Sequence, residues 1–123
     1  LQGVEFLSQD CMKVLDRPLD FVVTTNAGAA LDCNLYQSSK GLSGVSGATK
    51  EGGVILMATA CPEGFSSDEY REVFDNATSP QAFIDKIMNK EFFVLDQWCA
   101  QETYQVRLKN EIWLHTDGIE SEL

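Results

Sequence analysis

The apolar positions of this chain fall into compact runs, and between the runs they recur every three or four residues. "DFVVTT" (20–25), "VILMATA" (54–60) and "EIWLHT" (111–116) are rich in β-branched or aromatic residues and have strand length. The first two show little polar alternation, which predicts strands buried on both faces of a parallel sheet. "GVEFL" (3–7) predicts a further short strand, and residues 8–16 a short helix with Ser8 as its cap. Asp32 predicts the start of a helix that runs to about Leu42. Ser66 and Glu69 have the spacing of a capping box and predict a helix to about Phe74. Ser79 followed by Pro80 predicts another, ending near Asn89. "LDQWCAQETYQVRLK" (95–109) predicts a long amphipathic helix capped by Asp96. The segments 26–30 and 61–67 carry the small and turn-forming residues of loops, and 41–53, with five glycines, those of a loop or a frayed helix end.

Strands and helices therefore alternate in βαβ order. The expected class is α/β: a three-layer Rossmann-like domain with a mostly parallel sheet, helices on both faces and right-handed crossovers. No repeat or linker interrupts residues 1–123, which read as a single domain. Ligands of such sheets bind beyond the carboxyl ends of the strands. That rule selects the loops 26–32 and 61–67.

Composition narrows the function classes. Nineteen acidic residues against 9 basic ones give a net charge of −10. Long-range attraction to nucleic acid phosphates or to an anionic membrane surface is thereby disfavoured. No apolar run is long enough to span a bilayer, and the first residues lack the pattern of a leader peptide. The four cysteines show no CxxC or CxxH spacing, so they read as free thiols of a cytoplasmic protein. His115, the one histidine, is expected as a buried or half-buried residue of the last strand. The chain begins at Leu1 rather than at Met, and reads as a piece of something larger.

The densest candidate chemistry lies in "LDCNLYQSSKGL" (31–42). At about 100° per residue, Tyr36, Gln37 and Lys40 share one helix face, while Leu35 and Leu42 lie on the other side. A phenol, an amide and an ammonium then converge near a helix start, where the macrodipole adds positive potential. Such a face suits a small anion, for instance a carboxylate. The same residue types are also common on solvated helices. The pattern alone leaves open a free-standing Rossmann-like module that binds a small anion or a nucleotide without catalysis. The loop "NAGAA" lacks both GxGxxG and GxxxxGK[ST], so a nucleotide has little support.

Three stretches together carry a resemblance: "FVVTTNAGAALDCNLYQSSKGL", "KEGGVILMATACPEG" and "DQWCAQ" before the last strand. They resemble the C-terminal domain of the nickel-pincer lactate racemase family, with its L-D-x-N-x-Y-Q-x-x-K run and K-x-G-G turn, over roughly residues 20–116. The resemblance implies a part of an enzyme that racemises 2-hydroxy acids by hydride transfer, using a nickel-pincer nucleotide cofactor. It implies that the nickel ligands, the cofactor-tethering lysine and the acid/base histidines belong to an N-terminal catalytic domain that no stretch of this chain resembles. This chain is then expected to hold no cofactor, metal or catalytic residue and to be inactive alone. The expected partners are the 2-hydroxy acid and that N-terminal domain. By the same resemblance Gln37 and Lys40 would bind the carboxylate or hydroxyl oxygen of the substrate, and Tyr36 and Trp98 would line the pocket. The sequence departs from the family at Ala27–Ala30, where a Gly-Gly-Tyr-Pro type of loop is usual. That change implies a wider pocket on this side or a looser loop.

Overall fold

The computed structural model describes residues 2–120. The elements follow the order α1 (Gln2–Cys11), β1 (Leu19–Thr25), α2 (Leu35–Ser46), β2 (Thr49–Ala58), α3 (Asp68–Asn76), α4 (Pro80–Ile87), α5 (Gln97–Arg107) and β3 (Glu111–His115). The three strands form one sheet in the order β1-β2-β3, with both pairs parallel. The expected α/β class with a parallel sheet flanked by helices is the observed one.

The register explains which side chains are covered. Val22, Ile55 and Ile112 lie side by side across the sheet, as do Thr24, Met57 and Leu114. This face meets α2 and α5, and Leu42, Ile55, Met57 and Val106 bury one another there. The alternate residues Phe21, Val23 and Trp113 point the other way. Val23 is 62 % exposed and Trp113 49 %, and Phe21 meets the Trp113 ring edge-on at 5.9 Å. The expectation of helices on both faces, and of β1 buried on both faces, is thus met on one face only within this chain. A run of β-branched residues reads the same whether one or both sides are covered.

A second cluster joins the helices. Leu35 of α2, Tyr70 and Val73 of α3, Phe83 of α4, and Cys99, Ala100 and Tyr104 of α5 are all buried together. Tyr104 sits at its centre, 4.6 Å from the Phe83 ring and stacked on Phe74 at 5.4 Å. Aromatic pairs at such separations add about 0.5–1.5 kcal/mol each beyond the area they bury.

Local chemistry moves several boundaries. Residues 3–7 are not a strand, and no helix fills 8–16. A single helix, α1, spans both segments as far as Cys11, and Ser8 hydrogen-bonds back to the Glu5 carbonyl from within it instead of capping. Val4, Leu7 and Cys11 recur at helical spacing, and no neighbouring strand competes for this backbone. The segment 41–53 is mostly ordered: α2 continues to Ser46 and β2 begins at Thr49. The regular β1–β2 ladder nevertheless starts at Val54, because residues 50–53 are looped out of register. Ser67, not Ser66, caps α3 and accepts the Tyr70 N–H at 3.1 Å. Ser66 instead holds a backbone with positive φ, 106°, away from the extended conformation of Ser67 that suits a capping side chain. Ser79 and Pro80 begin α4 as expected.

Leu42 is 2 % exposed and ties the helix layer to the sheet. Leu42→Ala should destabilise the chain by about 2–5 kcal/mol. Val23→Ala, on the open face, should change stability by less than about 0.5 kcal/mol. Chemical denaturation of the two variants checks this, and equal losses would mean that the second face is also a packed core.

Candidate functional site

The loop after β1 sets the start of α2. Ala27, Gly28 and Ala30 all hold left-handed backbones, with φ of 63°, 79° and 73°. Gly28 carries this conformation without strain, whereas the two alanines do not. The Gly28 carbonyl accepts from both Leu31 N–H and Asp32 N–H, closing the turn. The Asn26 side-chain amide then donates to the Leu31 carbonyl and, at 3.0 Å, to the Gln37 carbonyl. One asparagine at the carboxyl end of β1 thus ties down the loop and the first turn of α2. The approach is close: a Cβ at Gly41 would lie 3.0 Å from Met57 Cε and 3.1 Å from Asn26 Oδ1. Only a hydrogen fits there comfortably.

The cap of α2 is Asn34 rather than Asp32. Asn34 Oδ1 accepts the Gln37 N–H at 3.0 Å, and its Nδ2 donates to Glu63 in the loop after β2. Asp32 instead accepts the Ala60 N–H at 3.4 Å and links the same two loops. Leu35 N–H goes to the Gly64 carbonyl at 2.9 Å. Two of the first three N–H groups of α2, those of Leu35 and Gln37, are therefore already used within the protein.

Tyr36, Gln37 and Lys40 do share one face. Lys40 Nζ donates to Gln37 Oε1 at 2.6 Å and lies 4.9 Å from the centre of the Tyr36 ring, within cation–π range. The contact leaves the Gln37 N–H₂ and the remaining Lys40 protons as donors. Leu35 and Leu42 are buried on the opposite side, as the helical period requires. Trp98, near the start of α5, comes to the same place and meets the Tyr36 ring edge-on at 5.8 Å. It is 51 % exposed, so it is not a core residue. All four candidate residues stand together: two nitrogen donors beside an aromatic wall.

Other candidates fall elsewhere. His115 ends β3 and is exposed, which corrects the expectation of a buried or half-buried strand residue; β3 is an edge strand. With Thr25, Asp32, Thr59 and Thr116 it lines a cavity of about 440 Å³ beyond the strand ends. A larger cavity, about 740 Å³, lies at the start of α3 between Glu63, Asp68, Arg71 and Ile119. The four cysteines are all free thiols. No group of three histidine, cysteine, aspartate or glutamate residues among the described residues could hold a metal ion. No helix of these residues is long and apolar enough to cross a membrane. The sequence reading passed over Asn26, Asn34, Ser39 and Cys99 as supports of the site. Asn34 stands inside the motif itself, but its partner Glu63 lies far along the chain.

The fold and the cluster define an α/β domain that presents paired donors and an aromatic wall near the carboxyl edge of a parallel sheet. The family model of the lactate racemase C-terminal domain matches residues 14–123, and the chain belongs to that family. It is 34% identical over 120 residues to a lactate racemase of Thermoanaerobacterium thermosaccharolyticum, covering 96% of this chain and 28% of that protein. It is 27% identical over 106 residues to a lactate racemase of Lactiplantibacillus plantarum, covering 85% of this chain and 25% of that protein. The solved structure of the lactate racemase apoprotein from T. thermosaccharolyticum superposes with a TM-score of 0.82 at 33% identity, over 94% of this chain and 28% of that one. The chain thus spans little more than a quarter of the length of these relatives.

Burial raises the pKa of all three tyrosines above the usual 10.0, and for Tyr36 and Tyr70 the nearby Cys99 adds to the rise. In the unfolded chain each phenol is half ionised near pH 10. The folded chain keeps these protons to higher pH, so its stability is complete below that pH and falls as pH climbs beyond it. Ultraviolet phenolate absorbance at pH 10 should report well under half of the tyrosine ionised until the protein unfolds. Half ionisation in the folded chain would contradict the burial of these rings.

Proposed function

We propose that this chain is the substrate-contacting C-terminal part of a lactate-type 2-hydroxy acid racemase. The observation that carries the proposal is the meeting of Lys40, Gln37, Tyr36 and Trp98. Lys40 and Gln37 are joined at 2.6 Å and offer N–H donors side by side, with two aromatic rings beside them. A 2-hydroxy acid has the matching chemistry: a carboxylate and a hydroxyl at one end, a short apolar substituent at the other. Family membership and the lactate racemase relatives give the reading its reaction class.

In this reading Lys40 supplies the charge that holds the carboxylate, and Gln37 donates to a second oxygen. Tyr36 and Trp98 exclude water from the substituent side, which strengthens both hydrogen bonds. Because Gln37 also accepts from Lys40, the ammonium is held in place before the substrate arrives. In this reading the metal's ligands would come from elsewhere in the full-length enzyme, since the described residues include no group of histidine, cysteine, aspartate or glutamate that could hold the nickel of the nickel-pincer nucleotide implied by the resemblance. These residues bind and orient the acid.

The isolated contacts are exposed and hold a small acid weakly. In a full-length protein that excludes water, loss of a hydrogen bond to a charged group costs about 1.5–3 kcal/mol. Lys40→Ala should therefore lower kcat/KM by about ten- to a hundredfold. Lys50→Ala is the control, since Lys50 pairs with Asp20 at the opposite end of the sheet, and should leave it nearly unchanged. Racemisation assays of the full-length variants decide the matter. Equal behaviour of the two lysines would reduce the cluster to an ordinary solvated helix face.

A further inference from the structure

The first turn of α5 has an unusual beginning. Asp96 stands at the N-cap position with φ 60° and makes no side-chain cap bond, contrary to its expected role. The Gln97 side chain is turned back to accept the Val94 N–H at 2.9 Å. A helix start without a cap is prone to fray. Trp98 lies in this turn, yet it is the residue that must stay against Tyr36.

What joins this turn to α2 is Cys99. It is fully buried, and its Sγ lies 3.2 Å from the Tyr36 carbonyl oxygen and 3.0 Å from Ser39 Oγ. Ser39, also fully buried, donates its hydroxyl to the same Tyr36 carbonyl at 2.8 Å. The three groups form a closed triangle beneath the Tyr36–Trp98 pair. We propose that Cys99 and Ser39 are positioning residues, which clamp the uncapped start of α5 to the first turn of α2 and so hold Trp98 against Tyr36 as one wall of the substrate pocket. This rests on the substrate-contacting role proposed above. Burial pushes the Cys99 thiol pKa up against the opposing pull of Ser39 and Lys40. The sulfur therefore keeps its proton at neutral pH and acts as a donor, not as a nucleophile.

The clamp predicts a particular kinetic signature. Gln37 and Lys40 stand on α2 and keep their place when the thiol is removed. The wall does not. In the full-length protein Cys99→Ala should raise KM for the 2-hydroxy acid by about two- to tenfold, the worth of one aromatic contact, with kcat within about twofold. Cys99→Ser, which restores a donor, should return KM close to that of the parent. Added to Trp98→Ala, Cys99→Ala should raise KM no further, because the residue it positions is gone. A merely structural cysteine would instead lower apparent kcat through loss of folded protein and leave KM unchanged, and that result overturns the proposal. So does an equal KM effect in the Trp98→Ala background.

Amide hydrogen exchange of the same full-length variants reads the clamp without turnover. Exchange over residues 97–100 should quicken in Cys99→Ala, recover in Cys99→Ser, and stay unchanged over α4. Unchanged exchange at 97–100 overturns the clamp whatever the kinetics. Absence of racemase activity in the parent protein strikes the substrate reading alone, and the exchange result then decides the clamp.

Discussion

The burial of Leu42 between Ile55, Met57 and Val106 fixes the rotation of α2, and the rest of the arrangement depends on it. A helix has one rotational freedom once its axis is laid on a sheet. Leu42 removes it from one end and Leu35, packed among Tyr70, Cys99 and Tyr104, from the other. With those two leucines inward, the helical period leaves Tyr36, Gln37 and Lys40 no choice of face. The site is thus a consequence of core packing, made before any ligand is considered.

Translation along the axis is fixed separately, by polar groups. Asn26 holds the Gln37 carbonyl from the end of β1, Asn34 caps the helix and reaches Glu63, and Asp32 reaches Ala60. Of the helix-start donors, the Gln37 N–H is taken by Asn34 and the Leu35 N–H by the Gly64 carbonyl. In the proposed reading, ligand recognition would fall to the side chains of Gln37 and Lys40. Gly41 permits the close approach on which this depends. From the other side α5 brings Trp98, held where two buried groups, a hydroxyl and a thiol, converge on one carbonyl.

Much of this was legible because it is local. The β-branched runs of β1, β2 and β3, the Ser79-Pro80 start of α4, and the three-residue and four-residue spacings of α2 each carry their meaning within one element. What escaped was set at a distance. Asp32 and Asn34 are both competent caps, and the choice was made by Glu63 and Ala60, on a loop beyond the next strand. Residues 3–7 fit both an alternating and a helical pattern, and the absence of a strand partner decided for α1. The uncovered face of the sheet could not be read from Val22 and Val23, since a buried and a half-buried strand use the same residues. Cys99 seemed one unremarkable thiol of four until the fold brought it to Tyr36, 63 positions away. Motif resemblance picked out four residues that the fold brings together, but not the residues that hold them.

The central claim is that one face of α2 meets the substrate. The structure of the full-length protein with a bound 2-hydroxy acid tests it most directly. Lys40 Nζ and the Gln37 side-chain nitrogen should each lie within about 2.7–3.2 Å of ligand oxygens, with Tyr36 and Trp98 against the ligand's apolar substituent. An acid seated instead in the cavity beside Asp32 and His115, with Lys40 facing bulk water, would contradict the account.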